Sequence, residues 1–326
     1  MIKKIFIKIA RFLNYELIDQ NKFKSPTLET ETNEDLSNFK KSIVLPLGEV
    51  KLTKKIRHLK IIFRTNTNVH IWDQNKKRIF NQPKIEYAKR SLFSLIKSIK
   101  NLKEKYPSIK VDLDVIDDNS KKNNLDQLKE ILSEKEINYK IINHDNLEHK
   151  SEIKEQKSIE TYSNLSSLLK CYQLGKNEGE DIIYFVEDDY IHFKSSLEEM
   201  VGTYERISSQ LNKELFICPA DYPFLYTNNE KTNLLIGNRR HWRTINRTLC
   251  TFMTSKIFLD KYWDNFYKTC LDRNDPFEKY LNEIYKKEIC ISPIKSLAIH
   301  ITNINSSYGL SPFINYKSIW EENKND

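Results

Sequence analysis

Four short runs of apolar, β-prone residues recur along the chain with helical patterns between them, and this alternation leaves few architectures open. The runs are HLKIIFRTN, ending at Asn66, then KVDLDVIDDNS, INYKIIN, and DIIYFVEDDYIHF at residues 181–193. After the first stands AKRSLFSLIKSIKNLKEKY, which carries Leu92, Leu95, Ile96, Ile99 and Leu102 on one face and stops at Pro107. LDQLKEILSEK and SNLSSLLKCYQLGKNEG read as further helices, the second ending in glycines. SSLEEMVGTYERISSQL follows the fourth strand, with Ser196 and Glu199 at capping-box spacing. The pattern predicts an α/β fold built on a mostly parallel sheet flanked by helices.

In such sheets ligands collect at the carboxyl ends of strands. Arg64, Asp117, Asp118, Glu187 and Asp189 all fall at or just beyond a predicted strand end, so one edge of the sheet is expected to hold them together. The triplet Glu187, Asp188 and Asp189 is the most pointed of these signals. Three adjacent carboxylates repel one another, and crowding raises their pKa values unless a cation neutralises them. A hard divalent ion such as Mg²⁺ or Mn²⁺ is a natural partner, since it takes one or two carboxylates and completes its shell with phosphate and water. Glu187 and Asp189, two apart on an extended chain, point the same way and can address one ion, while Asp188 points to the other side. A solvated acidic turn is the competing view. Asp117 and Asp118, followed by Asn119 and Ser120, either make an Asx turn or offer a carboxylate to a nucleobase or ribose.

This succession, with strands ending in VIDDNS and IYFVEDDY, resembles the nucleotide-sugar-binding half of GT-A type glycosyltransferases over roughly residues 58 to 305. EDD stands where those enzymes have their D-x-D motif, with Glu rather than Asp in first position. The resemblance implies that Asp117 or Asp118 contacts the base, that Glu187 contacts ribose or metal, and that Asp189 holds the metal clamping the donor diphosphate. Arg64, Asp188 and Arg243 complete the candidate donor-binding set. It further implies an acidic base near the start of a late helix. NDPFEKYLNEIY offers Asp275, which also suits an N-cap before Pro276, with Glu278 and Asp221 as the other candidates. His300, in the apolar strand of ICISPIKSLAIHITN, is either a satisfied core residue or the late metal ligand of such enzymes. Q-x-x-R-W, the motif of processive synthases, is absent, so transfer of single sugars is expected.

Two further stretches of the second half suit an acceptor or a phosphate. LFICPADYPFLYTN places Tyr222, Phe224 and Tyr226 in a loop that either stacks on sugar or packs on the core. GNRRHWRTINR concentrates Arg239, Arg240, His241, Arg243 and Arg247 as a phosphate-binding patch or a solvated basic loop.

The resulting expectation is an enzyme moving one sugar from a nucleotide diphosphate sugar, UDP-linked by preference, to a hydroxyl of a glycan or lipid-linked acceptor. Surface polysaccharide or lipopolysaccharide synthesis is the expected setting. A sugar nucleotidyltransferase would need a Gly-rich loop after its first strand, and IIFRTNTNVHIW has none. A non-catalytic carbohydrate or nucleic-acid binding protein is the other alternative. The net charge of +8, from 53 Lys and Arg against 45 Asp and Glu, favours anionic ligands without naming one. No nucleic-acid-binding motif accompanies it, and nucleic acid is not an expected partner. Five cysteines without C-x-x-C spacing indicate neither a disulfide framework nor a zinc site and fit a cytoplasmic protein.

Residues 1–20 begin MIKKIFIKIARFLNYELI, with Ile2, Ile5, Phe6, Ile9, Phe12 and Leu13 at helical spacing and Lys3, Lys4, Lys8 and Arg11 ahead of the first acid, Glu16. They predict an amphipathic helix that rests either on the inner, anionic face of a membrane or on its own domain. Residues 21–55 read as a linker or arm, and residues 56–326 as the catalytic domain, with a nucleotide-sugar half at 56–193 and an acceptor half at 194–326.

Overall fold

The computed structural model describes residues 2–15, 17, 41–44, 48–68, 78–133, 137–156, 158–227, 230–301, 304 and 306–324. Most of the expected linker (21–40), the loop around Trp72 and the end of the N-terminal segment (16 and 18–20) lie outside the described residues. Helix α1 (Ile2–Phe12) is followed by strands β1 (Lys41–Val44) and β2 (Gly48–Lys51), then β3 (His58–Thr65), α2 (Lys84–Lys105), β4 (Lys110–Asp117), α3 (Lys122–Ser133) and β5 (Asn138–Asn143). Next come α4 (Ile159–Glu178), β6 (Ile182–Glu187), β7 (Tyr190–His192), α5 (Ser196–Leu211), β8 (Phe216–Ile217), α6 (Phe224–Thr227) and β9 (Leu234–Ile236). The rest comprises β10 (His241–Ile245), β11 (Phe252–Ser255), α7 (Lys256–Lys261), α8 (Trp263–Leu271), α9 (Lys279–Tyr285), β12 (Cys290–Pro293), β13 (Ala298–His300) and α10 (Tyr316–Glu322).

A nine-stranded sheet in the order β5-β4-β3-β6-β11-β8-β12-β10-β9 forms the centre. Strands β5, β4, β3 and β6 run parallel, as the alternation requires, and β12 pairs in parallel with β8. Antiparallel pairings join β6 to β11, β11 to β8, and β12 through β10 to β9. The fold is therefore α/β, with its unbroken parallel run in the first half. Strand β3 is buried along nearly its whole length, as a strand covered by helices on both faces is, with Lys60 buried in it against Asp114. Leu59, Ile61 and Phe63 face one layer with α2, α3 and α5, whereas Ile62 faces the other with α4, α7, α8 and α9. A third, smaller core gathers Tyr87, Ile191, Ile299 and Trp320, so that α10 is docked beside β7.

Register fixes the useful edge. Arg64 lies opposite Glu187 on one side and Ile116 on the other, and Thr65 lies opposite Asp117. The strand-end residues predicted to converge are thus level with one another.

Several local readings change. Residues 41–44 and 48–51, expected within a linker or arm, pair as two antiparallel strands. The proposed Ser196–Glu199 capping box does not form: Ser196 Oγ donates to Phe193 O and Leu297 O, and Glu199 instead receives Arg239 N–H, Trp242 Nε1–H and Thr203 Oγ1–H. ICISPIKSLAIHITN is two strands, because Lys295 turns the chain at φ 69°. Strand β12 stays in the main sheet while β13 leaves it to pair with β7, placing His300 opposite Tyr190. Finally, α9 begins at Lys279, so Asp275 and Pro276 precede it in a turn closed by Lys279 N–H to Pro276 O, and Asp275 is not its N-cap.

Candidate functional site

The level strand ends open onto a cavity of about 640 Å³. Arg64, Asp118 and the whole Glu187–Asp189 triplet line it from the parallel half; Asp275, Glu278 and His300 line it from the second half. Lys84 and Tyr87, in the first turn of α2, and Glu160, Ser163 and Asn164, in the first turns of α4, complete the near wall. Both helices follow parallel strands, so their N-termini arrive at the carboxyl edge of the sheet, where their dipoles favour an anion.

The acid that ends β6 and the two that follow it each have a separate basic partner. Glu187 Oε1 accepts from Arg64 Nη2 at 2.7 Å, Asp188 pairs with Lys84, and Asp189 Oδ2 meets His300 Nε2 at 3.1 Å. The crowding that pointed to a shared metal is therefore relieved by three separate side chains, Arg64, Lys84 and His300. Arg64 is itself held by Asn164 O at 3.0 Å and by the Asn164 side chain, which ties the start of α4 to the end of β6. Burial opposes the Arg64 charge, yet Glu187 raises its pKa on balance. Asp188 also accepts from Thr65 Oγ1 at 2.8 Å and Asn66 N–H at 3.2 Å, so it pins the chain leaving β3.

The metal expectation narrows to Asp189 and His300. His300 Nδ1–H donates to Tyr308 O at 2.7 Å and the ring stacks on Tyr190 at 4.8 Å, an arrangement that aims Nε2 at Asp189. Burial would lower the His300 pKa, but the Asp189 charge and hydrogen bond raise it above the usual histidine value. The two atoms are 3.1 Å apart across their hydrogen bond, close to the about 3 Å between cis ligands of an octahedral ion at about 2.1 Å, so an ion there would replace the shared proton. Among the described residues no three His, Cys, Asp or Glu side chains gather to cage an ion. Glu187, expected as a third ligand, is turned to Arg64. The pair suits Mg²⁺ or Mn²⁺ that takes most of its shell from substrate oxygens and water, a habit of Mg²⁺ in particular.

Of the tandem Asp117 and Asp118, only the second lines the cavity. Asp117 accepts Ser120 N–H at 3.2 Å, three residues on, and burial raises its pKa. Asp118 is 2% exposed and takes Ser163 Oγ–H at 2.5 Å on Oδ2, while its buried Oδ1 has no hydrogen-bond partner. Asp118 is nevertheless a lining residue of the cavity, and a carboxylate there is chemically suited to an N–H or O–H donor of a ligand.

Asp221 and Arg243 are not part of this wall. They pair with each other, and Asp221, 1% exposed, also receives Tyr226 Oη–H at 2.6 Å and Lys295 N–H at 3.1 Å. The remaining arginines of the supposed phosphate patch are likewise dispersed: Arg239 on Glu198, Arg240 on Lys295 O and Ser296 O, Arg247 on Glu230. They are adjacent in sequence, but only Arg243 lies on β10, and those before and after the strand meet different partners. Of the aromatic loop, Tyr222 and Phe224 are core, and Tyr226 keeps an exposed ring under the Arg243 guanidinium. Breaking a buried ion pair from one side costs about 3–5 kcal/mol. Because Tyr226 and Lys295 still serve Asp221, Arg243→Ala should lower unfolding free energy by about 2 kcal/mol in urea. Wild-type stability in that variant would show that the pair contributes nothing to the fold.

Lys84, Ser163, Asn164, Arg273 and Tyr308 are lining residues that the sequence reading missed. Arg273 stands two residues before Asp275 and could have been read from that nearness. Lys84 and Asn164 follow from the rule that a helix after a parallel strand starts at the ligand edge. Tyr308 has no sequence signal; burial pushes its phenol up to about 12.

Comparison with protein-family models finds no match, and neither does comparison with curated proteins. Among solved structures, the chain is similar to S. aureus TarS 1–349 at 13% identity and TM-score 0.42, covering 74% of this chain and 59% of that one. It is similar to the galactosyltransferase LgtC in complex with donor and acceptor sugar analogs at 13% identity and TM-score 0.34, covering 71% and 72%. It is also similar to the inositol-1-phosphate CTP transferase from T. maritima at 12% identity and TM-score 0.37, covering 83% and 97%. The chain thus spans less than two thirds of TarS 1–349. Likenesses this weak leave the activity to the chemistry of the site.

Proposed function

We propose that the protein transfers a single sugar from a nucleotide diphosphate sugar to a hydroxyl of a glycan or lipid-linked acceptor. The observation that carries this reading is the meeting, on one cavity, of the Asp118 carboxylate, the Asp189–His300 pair, and two acids from the opposite half. The Asp118 carboxylate accepts an N–H of the nucleobase; uracil N3–H is such a donor. Mg²⁺ or Mn²⁺ held by Asp189 and His300, when bound, supplies charge that stabilises the departing diphosphate. Arg78, Lys84 and Arg273 add positive charge to the same walls. Asp275, or Glu278 three residues on, takes the proton of the acceptor hydroxyl as its oxygen attacks the anomeric carbon and the nucleoside diphosphate leaves. One such displacement inverts the anomeric configuration. The setting we favour is assembly of a surface polysaccharide or lipopolysaccharide.

A panel of nucleotide diphosphate sugars with Mn²⁺ or Mg²⁺, read by nucleotide release, tests the proposal. The expected result is metal-dependent release from one sugar nucleotide. Pyrophosphate release from a nucleoside triphosphate and a sugar phosphate, with every sugar nucleotide inert, would instead make the enzyme a nucleotidyltransferase. Absence of nucleotide binding by calorimetry would leave a carbohydrate-binding role.

A further inference from the structure

Helix α1 forms as its spacing predicts, and none of its residues is buried. Ile2, Ile5, Phe6, Ile9, Phe12 and the following Leu13 are 72, 51, 60, 53, 87 and 57% exposed. At about 100° per residue these six occupy roughly a third of the circumference. Lys3, Lys4, Lys8 and Arg11 fall on the remaining arc, and no acid stands among residues 2–15. Ile7 is the apolar residue that departs from the stripe. At 1.5 Å per residue the helix is about 16 Å long, half the ~30 Å of a bilayer core. No described helix is long and apolar enough to cross a membrane.

We infer that α1 lies along an anionic lipid surface, its apolar stripe in the acyl boundary and its basic arc among the headgroups. Charge complementarity selects this occupant. A second copy of the helix would cover the stripe but leave both basic arcs without an anion, and an RNA or DNA strand would leave the apolar stripe in water. A lipid surface of negative charge satisfies both faces at once. The inference rests on α1 alone and is independent of the donor chemistry.

The test is co-sedimentation of the full chain with sucrose-loaded vesicles. Phosphatidylcholine vesicles containing phosphatidylglycerol should carry the protein down at low salt, phosphatidylcholine alone should not, and high salt should release it. Lys4→Ala with Lys8→Ala should weaken partitioning about 30-fold. Ile5→Ser with Ile9→Ser should remove binding while the thermal unfolding midpoint of the globular part stays where it was. Equal partitioning into both vesicle types, or binding that both double variants retain, overturns the inference. So does a lowered unfolding midpoint in the Ile-to-Ser variant, which would put α1 on its own core. Self-association of the wild type without vesicle binding, lost in the same variant, would assign the stripe to a second copy and equally overturn it.

Discussion

Replacing Asp275 by asparagine is expected to lower kcat about a thousandfold while the UDP affinity measured with Mn²⁺ changes less than about threefold. The side chain keeps its shape and loses only the ability to accept a proton. Asp275 is exposed and precedes α9 instead of capping it, so little stability depends on its charge. Unfolding in urea should be unchanged, which separates a catalytic defect from a folding one. Glu278 lines the same cavity and is the control. A near-normal Asp275→Asn enzyme beside an inactive Glu278→Gln enzyme would move the proton acceptor by three residues. Normal turnover in both would remove the turn at 273–278 from the chemistry.

Asp189→Ala should weaken UDP binding in the presence of Mn²⁺ a hundredfold or more, and should leave the weaker metal-free binding as it was. The variant deletes one of the two atoms that suit the ion and leaves the other without a partner ligand. The fold should survive, because Asp189 sits in the turn between β6 and β7 and its side chain is only partly buried. His300 loses the charge that raises its pKa and can become neutral, so no uncompensated buried cation remains. Calorimetry with and without Mn²⁺ reads the difference directly. Equal UDP affinity for wild type and variant with Mn²⁺ would dismiss the metal site at this pair.

Much of the first half was legible because its signals are local. The apolar runs at β3, β4 and β6 needed burial on both faces, and the register then set Arg64, Asp118 and Glu187 at one edge. The amphipathic period of α1 and α2 was equally plain, since side-chain spacing on a helix depends on neighbours a turn away. The second half was harder. Strand β8 has two residues and β13 three, too few for a period to show. The dense arginines of 239–247 looked like one patch because a sequence records adjacency but not which face of a strand meets which neighbour.

The chain's own pattern therefore determined the α/β class, the parallel strand order's raw material, and the acids and arginine carried to the strand ends, all from short-range burial and alternation. Which basic partner each acid meets was decided only by tertiary structure. Lys84 reaches Asp188 across 104 residues and His300 reaches Asp189 across 111. Tertiary structure also separated Asp118 from Asp117 and withdrew Asp221 and Arg243 into a pair of their own. The physical reason is that a charge in a folded protein takes its partner from the packing around it, and packing joins residues by surface, at any distance along the chain.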